Sequence, residues 1–238
     1  MTIIIQASRI KQRFKKNYFE QEAWAQNRVV CGIDEVGRGP LAGPVVTAAV
    51  ILPKNKISPL IKDSKILTPE ERLKAYAWIT KHCWYSIGMA HHRIIDQQNI
   101  FHATLIAMKK ALVNILAICP ERPSSILIDA MPLKIHDTAY ADIPVNYFPF
   151  GESKSTSIAA ASIVAKVRRD MLMERMDTIF TGYHMGQHKG YRTPQHKKAV
   201  EMGQKPLIIH RMSFVNRLAE YAAAGVTEDE SHDQQTLC

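Results

Sequence analysis

The chain has 238 residues, which suits one domain or one domain with an appendage, and its 46% apolar content is enough for a sizeable core. No apolar run approaches the ~20 residues that a membrane span needs, and residues 1–27 are polar and mixed in charge, without the apolar centre of a signal peptide; a cytoplasmic protein with no membrane partner is the expectation. The net charge of +9 fits nucleic acid, acidic lipid or plain solubility, but its placement is more telling: Lys166, Arg168 and Arg169 cluster, as do Lys189, Arg192, Lys197 and Lys198.

In chain order, Val29 to Ile33 is a short apolar run that ends at two adjacent acids, Asp34 and Glu35. A Gly37-Arg38-Gly39 turn follows, then a β-branched strand from Pro44 to Leu52 that Pro53 stops. Thr68-Pro69-Glu70-Glu71 is a capping box with proline at the first helical position, so a helix runs to about Lys81. Trp84 to Ala90 reads as a third strand, and three strands on short connections suggest an antiparallel meander. Ile94 to Ile118 carries apolar residues at helical spacing, among them Leu105, Met108, Leu112, Ile115 and Leu116. Ile126 to Ile128 before Asp129, and Val145 to Phe148, read as strands. Ser155 to Phe180 reads as a helix, small and apolar in its first half and charged in its second; Thr193-Pro194 starts another that Gly203 ends. The order gives a mixed α/β sheet covered by helices, followed from about Gly225 by a disordered tail.

Asp34, Glu35 and Asp129 each follow at least three apolar residues at the end of a strand, where a rigid sheet edge fixes their positions. Converging carboxylates repel one another and raise each other's pKa unless a cation is bound. Mg²⁺ and Mn²⁺ prefer such hard oxygen ligands, and a pair of them can activate water at a phosphodiester and stabilise the leaving oxygen. Read singly, each acid is equally a strand-end charge or a helix cap. Cys31, Cys83, Cys119 and Cys238 form no zinc pattern and read as free thiols. Ser162, after Ala159 to Ala161, reads as close helix packing and not as a nucleophile, since no His/Asp pattern supports it.

Gly32 to Val46 (GIDEVGRGPLAGPVV) resembles the signature of the type 2 ribonucleases H, the ribonuclease HII family. The similarity continues through Asp63-Ser64-Lys65, Asn99-Ile100 with Ala103-Thr104-Leu105, Ile126 to Asp129, Ser157 to Asp170, His188 to Tyr191 and His210 to Phe214, covering roughly residues 29 to 217 in order. It implies a ribonuclease H-like mixed five-stranded sheet flanked by helices, with a helical C-terminal extension. It also implies a division into an N-terminal extension 1–27, a catalytic domain 28–225 and a tail 226–238. The implied activity is hydrolysis of RNA in RNA–DNA hybrids and of duplex DNA 5′ of embedded ribonucleotides, leaving 3′-hydroxyl and 5′-phosphate, by a monomer using Mg²⁺ or Mn²⁺.

By the same resemblance the catalytic and metal-binding set is Asp34, Glu35, Asp129 and Glu152. The family usually has aspartate where Glu152 stands; glutamate there resembles the type 3 enzymes, so a type 3-like preference for long hybrids is one alternative and a non-catalytic hybrid-binding protein another. Asp170 is a rival fourth acid that reads better as a helix-surface charge. The resemblance gives substrate contacts to Gly37, Arg38, Gly39 and Tyr191, which read the 2′-hydroxyl, and Ser64 and Lys65 are expected to hold a phosphate. Lys154, Lys166, Arg168, Arg169 and Lys189 are weaker phosphate candidates, and His188 reads as a loop histidine or an aid to phosphate contact. No sliding-clamp motif stands out in the tail beyond Gln234-Gln235.

Overall fold

The β-branched runs form the centre of a single sheet in the computed structural model, which describes residues 8–9, 15–201 and 208–223. Strands β1 (Ser8–Arg9), β2 (Val30–Val36), β3 (Val45–Ile51), β4 (Trp84–Ala90), β5 (Ser125–Asp129) and β6 (Val145–Phe148) lie in the order β1-β6-β5-β2-β3-β4. The five expected strands are all present, and the two-residue β1 adds an edge beside β6. β2 runs antiparallel to β3 and parallel to β5, and β5 runs parallel to β6. β2, β3 and β5 are buried along most of their length, as strands covered on both faces must be.

The chain divides into two compact units, residues 1–36, 46–89 and 104–169 in the first and 37–45, 90–103 and 170–238 in the second. In the first, helix α2 (Pro69–His82) starts with the expected capping box: Glu71 N–H donates to Thr68 Oγ1 at 3.2 Å, and Thr68 N–H to Glu71 Oε2 at 2.9 Å. Helix α5 (Thr156–Ile179) packs its small face, Ala159, Ala160, Ala161 and Val164, into a core with Ala48, Val50 and Ile79. Gly32 makes that approach feasible, because a Cβ there would lie 2.2 Å from the Ser157 carbonyl carbon and 2.4 Å from Ile158 N. Gly88 of β4 does the same for helix α3 (His92–Ile118), whose Ala107 carbonyl oxygen would be 2.0 Å from an added Cβ.

α3 is not continuous. Asn99 sits at φ 62° and ψ 168°, and its Oδ1 accepts the N–H of His102 at 3.1 Å, restarting the helix with an asparagine cap. By length and composition α3 could cross a membrane, with a mean hydropathy of 1.4. Its apolar residues Ala107, Met108, Ala111, Leu112 and Ile115 are buried, which accounts for that apolarity as the core-facing side of a sheet-covering helix.

Two short helices of the first unit were not legible in the sequence. α1 (Tyr18–Ala25) packs Ala23, with Phe19 stacked on Phe148, onto β2, β5 and β6. Its Glu20 is fully buried and accepts from Ser155 Oγ at 2.5 Å and from the N–H of Ser157 at 2.9 Å, capping the start of α5. α4 (Gly151–Lys154) is a single turn between β6 and α5.

The second unit has its own core of Ala42, Met173, Tyr183, Met185 and Ile209, and it holds α6 (Met185–His188), α7 (Pro194–Glu201) and α8 (Met212–Ala223). α7 begins at the expected Pro194; its expected stop at Gly203 and the expected disordered tail lie outside the described residues.

Candidate active site

Asp34 stands on β2 two residues after Gly32, so side-chain alternation turns it toward the α5 side, and it is buried. The N–H of Glu35 donates to Asp34 Oδ1 at 2.8 Å. Ile33 and Ile128 are register partners in parallel strands, so Asp34 and Asp129 follow one another across the same sheet edge. Asp129 Oδ1 accepts the N–H of Gly151 at 2.9 Å, which ties α4 to the end of β5 and brings in Glu152.

Ser162 joins these groups. Its Oγ donates to Glu152 Oε1 and lies 2.8 Å from Ser64 Oγ, and its nearness tempers the rise in the Asp34 pKa. Sequence reasoning missed this role: the residue is small enough for the α5 packing and polar enough to hold an acid. Asp63 adds a fifth carboxyl group by a hydrogen bond with Glu152.

The electrostatics follow from this crowding. Burial, then the charges of Glu35, Asp129 and Glu152, push Asp34 well above the usual carboxylate range. Burial also raises Asp129, against the Gly151 N–H and the charges of Lys65 and Lys154. Burial and the hydrogen bond to Asp63 raise Glu152, and the same bond lowers Asp63. Burial works against the charge on Lys65, but Glu152, Asp63, Asp34 and Asp129 outweigh it and hold the ammonium more firmly protonated. The donor set is all hard oxygen and short of positive charge, which fits Mg²⁺ or Mn²⁺. The acids form an electrostatic cluster and not a closed shell: among the described residues no three His, Cys, Asp or Glu side chains are grouped as a metal would hold them.

Other expected residues fall elsewhere. Ser64 is buried, with its hydroxyl engaged by Ser162 and its carbonyl accepting two N–H groups of Arg72. Asp170 lies in the part of α5 that belongs to the second unit. Arg169 is fully buried, so it is not the surface cation its sequence suggested; it lies on the covered side of α5, whereas Arg168 is exposed. Lys154 donates to the Pro149 carbonyl and lies over the Phe148 ring, and Lys189 pairs with Glu174 at 2.7 Å.

The turn Gly37-Arg38-Gly39 and Tyr191 belong to the second unit. Gly37 has φ 88°, which glycine adopts without strain. An added Cβ at Gly39 would meet nothing within 4 Å, so the turn is open there. Tyr191 is partly exposed at 39%. Three buried histidines hold it. His196 Nδ1 lies 2.9 Å from the Tyr191 carbonyl oxygen and therefore carries the proton, leaving Nε2 to accept from His210 Nε2 at 3.0 Å. His188 stacks on His196 with ring centroids 4.3 Å apart, donates from Nε2 to the Tyr183 carbonyl at 2.7 Å and accepts the Gly190 N–H at Nδ1. Burial lowers His196 to about 4, so that ring is neutral at physiological pH, and burial lowers His188 as well. His188 is thus structural.

A helix-covered mixed sheet with acids gathered at the ends of β2 and β5 is an arrangement that suits hydrolytic phosphoryl transfer, among other chemistries that carboxylates serve. The family model for Ribonuclease HII matches residues 31–217. A Ribonuclease HII from Levilactobacillus brevis is 42% identical over 214 residues, covering 89% of this chain and 79% of that protein. Among solved structures, the ribonuclease H2 from Pyrococcus horikoshii OT3 superposes with a TM-score of 0.62 at 24% identity, covering 78% of this chain and 93% of that one. Bst-RNase HIII in complex with Mn²⁺ superposes with a TM-score of 0.53 at 21% identity, covering 79% and 74%. The chain belongs to the ribonuclease HII family, has the ribonuclease H-like fold, and is a ribonuclease H.

Proposed function

We propose that this ribonuclease H cuts the RNA strand of RNA–DNA hybrids and also cuts duplex DNA on the 5′ side of a single embedded ribonucleotide, leaving 3′-hydroxyl and 5′-phosphate ends. The observation that carries the reading is the carboxylate cluster: Asp34 is driven upward by burial and by Glu35, Asp129 and Glu152 together. Asp34, Glu35, Asp129 and Glu152 would hold Mg²⁺ or Mn²⁺, which when bound supplies an activated water and stabilises the departing oxygen. A related fold solved with Mn²⁺ is consistent with this choice.

The chain's own residues orient that set. Glu35 N–H fixes Asp34, Gly151 N–H fixes Asp129, and Ser162 fixes Glu152. Lys65, kept charged by the acids, is available to a phosphate near them. Gly37-Arg38-Gly39 and Tyr191 would read the ribose 2′-hydroxyl, and Val36 alone separates that turn from Glu35 in the chain. Phosphate contacts carry no sequence information, so cleavage is set by the sugar and not by base identity.

Asp34→Asn tests the assignment. The variant should lose Mg²⁺- and Mn²⁺-dependent cleavage of a duplex carrying one ribonucleotide and keep its affinity for that duplex. Near-normal turnover by Asp34→Asn removes the acids from catalysis. Cleavage of long hybrids by the wild-type protein with none at a single ribonucleotide removes the proposed specificity.

A further inference from the structure

We infer that Arg211 is a positioning residue for ribose recognition, pre-setting the Gly37-Arg38-Gly39 turn from behind. This rests on the ribose-reading role given to that turn above. Arg211 is fully buried, whereas Arg93, Arg175, Lys198 and Arg217 of the same unit are exposed. Its guanidinium donates from Nη2 to the Gly37 carbonyl at 2.6 Å, from Nη1 to the Arg38 carbonyl at 2.7 Å and from Nε to the Gly43 carbonyl at 3.0 Å. Its own backbone N–H donates to the Leu41 carbonyl at 2.8 Å. The Gly43 N–H donates to the Ile209 carbonyl at 2.9 Å, and Ala42 bridges to His210. One side chain thus gathers three carbonyls of a loop that runs from residue 37 to residue 43.

The geometry has a direct consequence for the other side of the turn. All peptide bonds among the described residues are trans. In a planar trans peptide the N–H points opposite to the C=O. With the Gly37 and Arg38 carbonyls turned to the guanidinium, the N–H groups of Arg38 and Gly39 point away from it. Two successive N–H groups on one side of a glycine turn make a small concave donor site for an oxygen. Such a site would recognise the lone pairs of a 2′-oxygen and offers nothing to a 2′-deoxy carbon. The buried arginine cannot touch the sugar and so acts through the turn. Asp96 fixes the segment in turn, accepting the N–H groups of Met212 at 3.0 Å and Ser213 at 2.9 Å.

Lysine tests the idea, because one ammonium cannot reproduce a planar fork spanning three carbonyls. Cleavage by wild type and Arg211→Lys is compared on two duplexes that differ at one sugar, one with a 2′-hydroxyl and one with 2′-fluoro, which accepts weakly. Wild type should prefer the hydroxyl strongly. Arg211→Lys, folded by circular dichroism, should lose about 10- to 100-fold in kcat on the hydroxyl substrate, the scale set by a misplacement near 1 Å, with a much smaller loss on the fluoro substrate. Equal losses on both, or an unchanged preference, overturn the inference. No wild-type cleavage of the hydroxyl duplex, or no preference, instead overturns the underlying reading of the turn.

Should Arg211→Lys fail to fold, nitrogen-15 spectra of the Asp34→Asn protein decide the point. The Arg211 guanidinium protons should resist exchange with and without duplex, and the Arg38 and Gly39 amides should shift only with the ribonucleotide-bearing duplex. Loss of guanidinium protection on binding, or equal amide shifts with an all-DNA duplex, overturns it.

Discussion

Gly32→Ala adds one methyl group at the point where β2 and α5 meet. The new Cβ would sit 2.2 Å from the Ser157 carbonyl carbon, 2.4 Å from Ile158 N and 2.5 Å from Ser157 O, all backbone atoms. Real Cβ contacts essentially never fall below 3.0 Å, so the start of α5 must retreat by about 0.8 Å to reach that limit and by about 1.2 Å to reach ordinary contact at 3.4 Å. No flexible side-chain end is available to yield instead. Overpacking of this kind costs about 1–3 kcal/mol, which for a chain of this size lowers Tm by roughly 2–12 °C. The retreat also carries Ser162 away from Asp34, whose side chain emerges two residues further along the same face of β2. A shift near 1 Å in a catalytic array costs about 100-fold in rate. Thermal unfolding and single-turnover cleavage of a ribonucleotide-bearing duplex measure the two effects side by side. A Gly32→Ala protein that melts within about 1 °C of wild type, or melts lower yet cleaves at the wild-type rate, would refute the coupling of this contact to the acid cluster.

Ser162→Ala should leave the α5 packing intact, cost about 1–2 kcal/mol from the lost buried hydrogen bonds, and reduce kcat while leaving duplex affinity near wild type; an unchanged kcat would show that Glu152 needs no such support. Asp34, Asp129 and Glu152 all have raised pKa values, so ionising them opposes folding. The metal-free protein should therefore be most stable near or below pH 4 with respect to these groups and lose stability as pH rises through their folded-state values. Mg²⁺ or Mn²⁺ should raise Tm more at pH 8 than at pH 5, an increment that Asp34→Asn largely removes; equal increments at both pH values would exclude the acids as ligands. His196 works in the opposite sense: with its pKa lowered to about 4, its stabilising neutral form is fully present above pH 6.5 and is lost as pH falls toward 4, at a total cost on the order of 3 kcal/mol. His196→Phe should flatten that part of the stability profile in urea titrations, and an unaltered profile would place the titration elsewhere.

The acids on β2 and β5 could be read from the sequence because each ends an apolar run, a local pattern that burial enforces. The α2 capping box was equally local, with both partners inside four residues. What escaped were contacts between distant positions. Ser162 looks like one more small residue until Ser64, 98 positions upstream, and Glu152 meet its hydroxyl. Arg211 lies in a recognisable motif, but its carbonyl partners stand 168 to 174 positions earlier. Arg169 read as a surface cation because it is flanked by charge, and only the covered side of α5 explains its burial. Helix α1 was missed because eight residues with little apolar periodicity give a weak pattern, and its stability comes from packing onto Phe148.

The contact of Glu20 with the first turn of α5 lies upstream of the stretch that the family model matches. The stretch matched by the family model begins at residue 31, whereas Glu20 lies eleven positions before it. Yet this one carboxylate closes the amino end of the helix that carries Ser162, and Asn17 reinforces it by donating its N–H to the Lys154 carbonyl at 2.8 Å. A shortened enzyme that starts at Arg28 would keep every residue of the family signature and lose the clasp beneath it. Transplanting the leader of a relative onto this body would succeed only where that leader brings an acid to the same place.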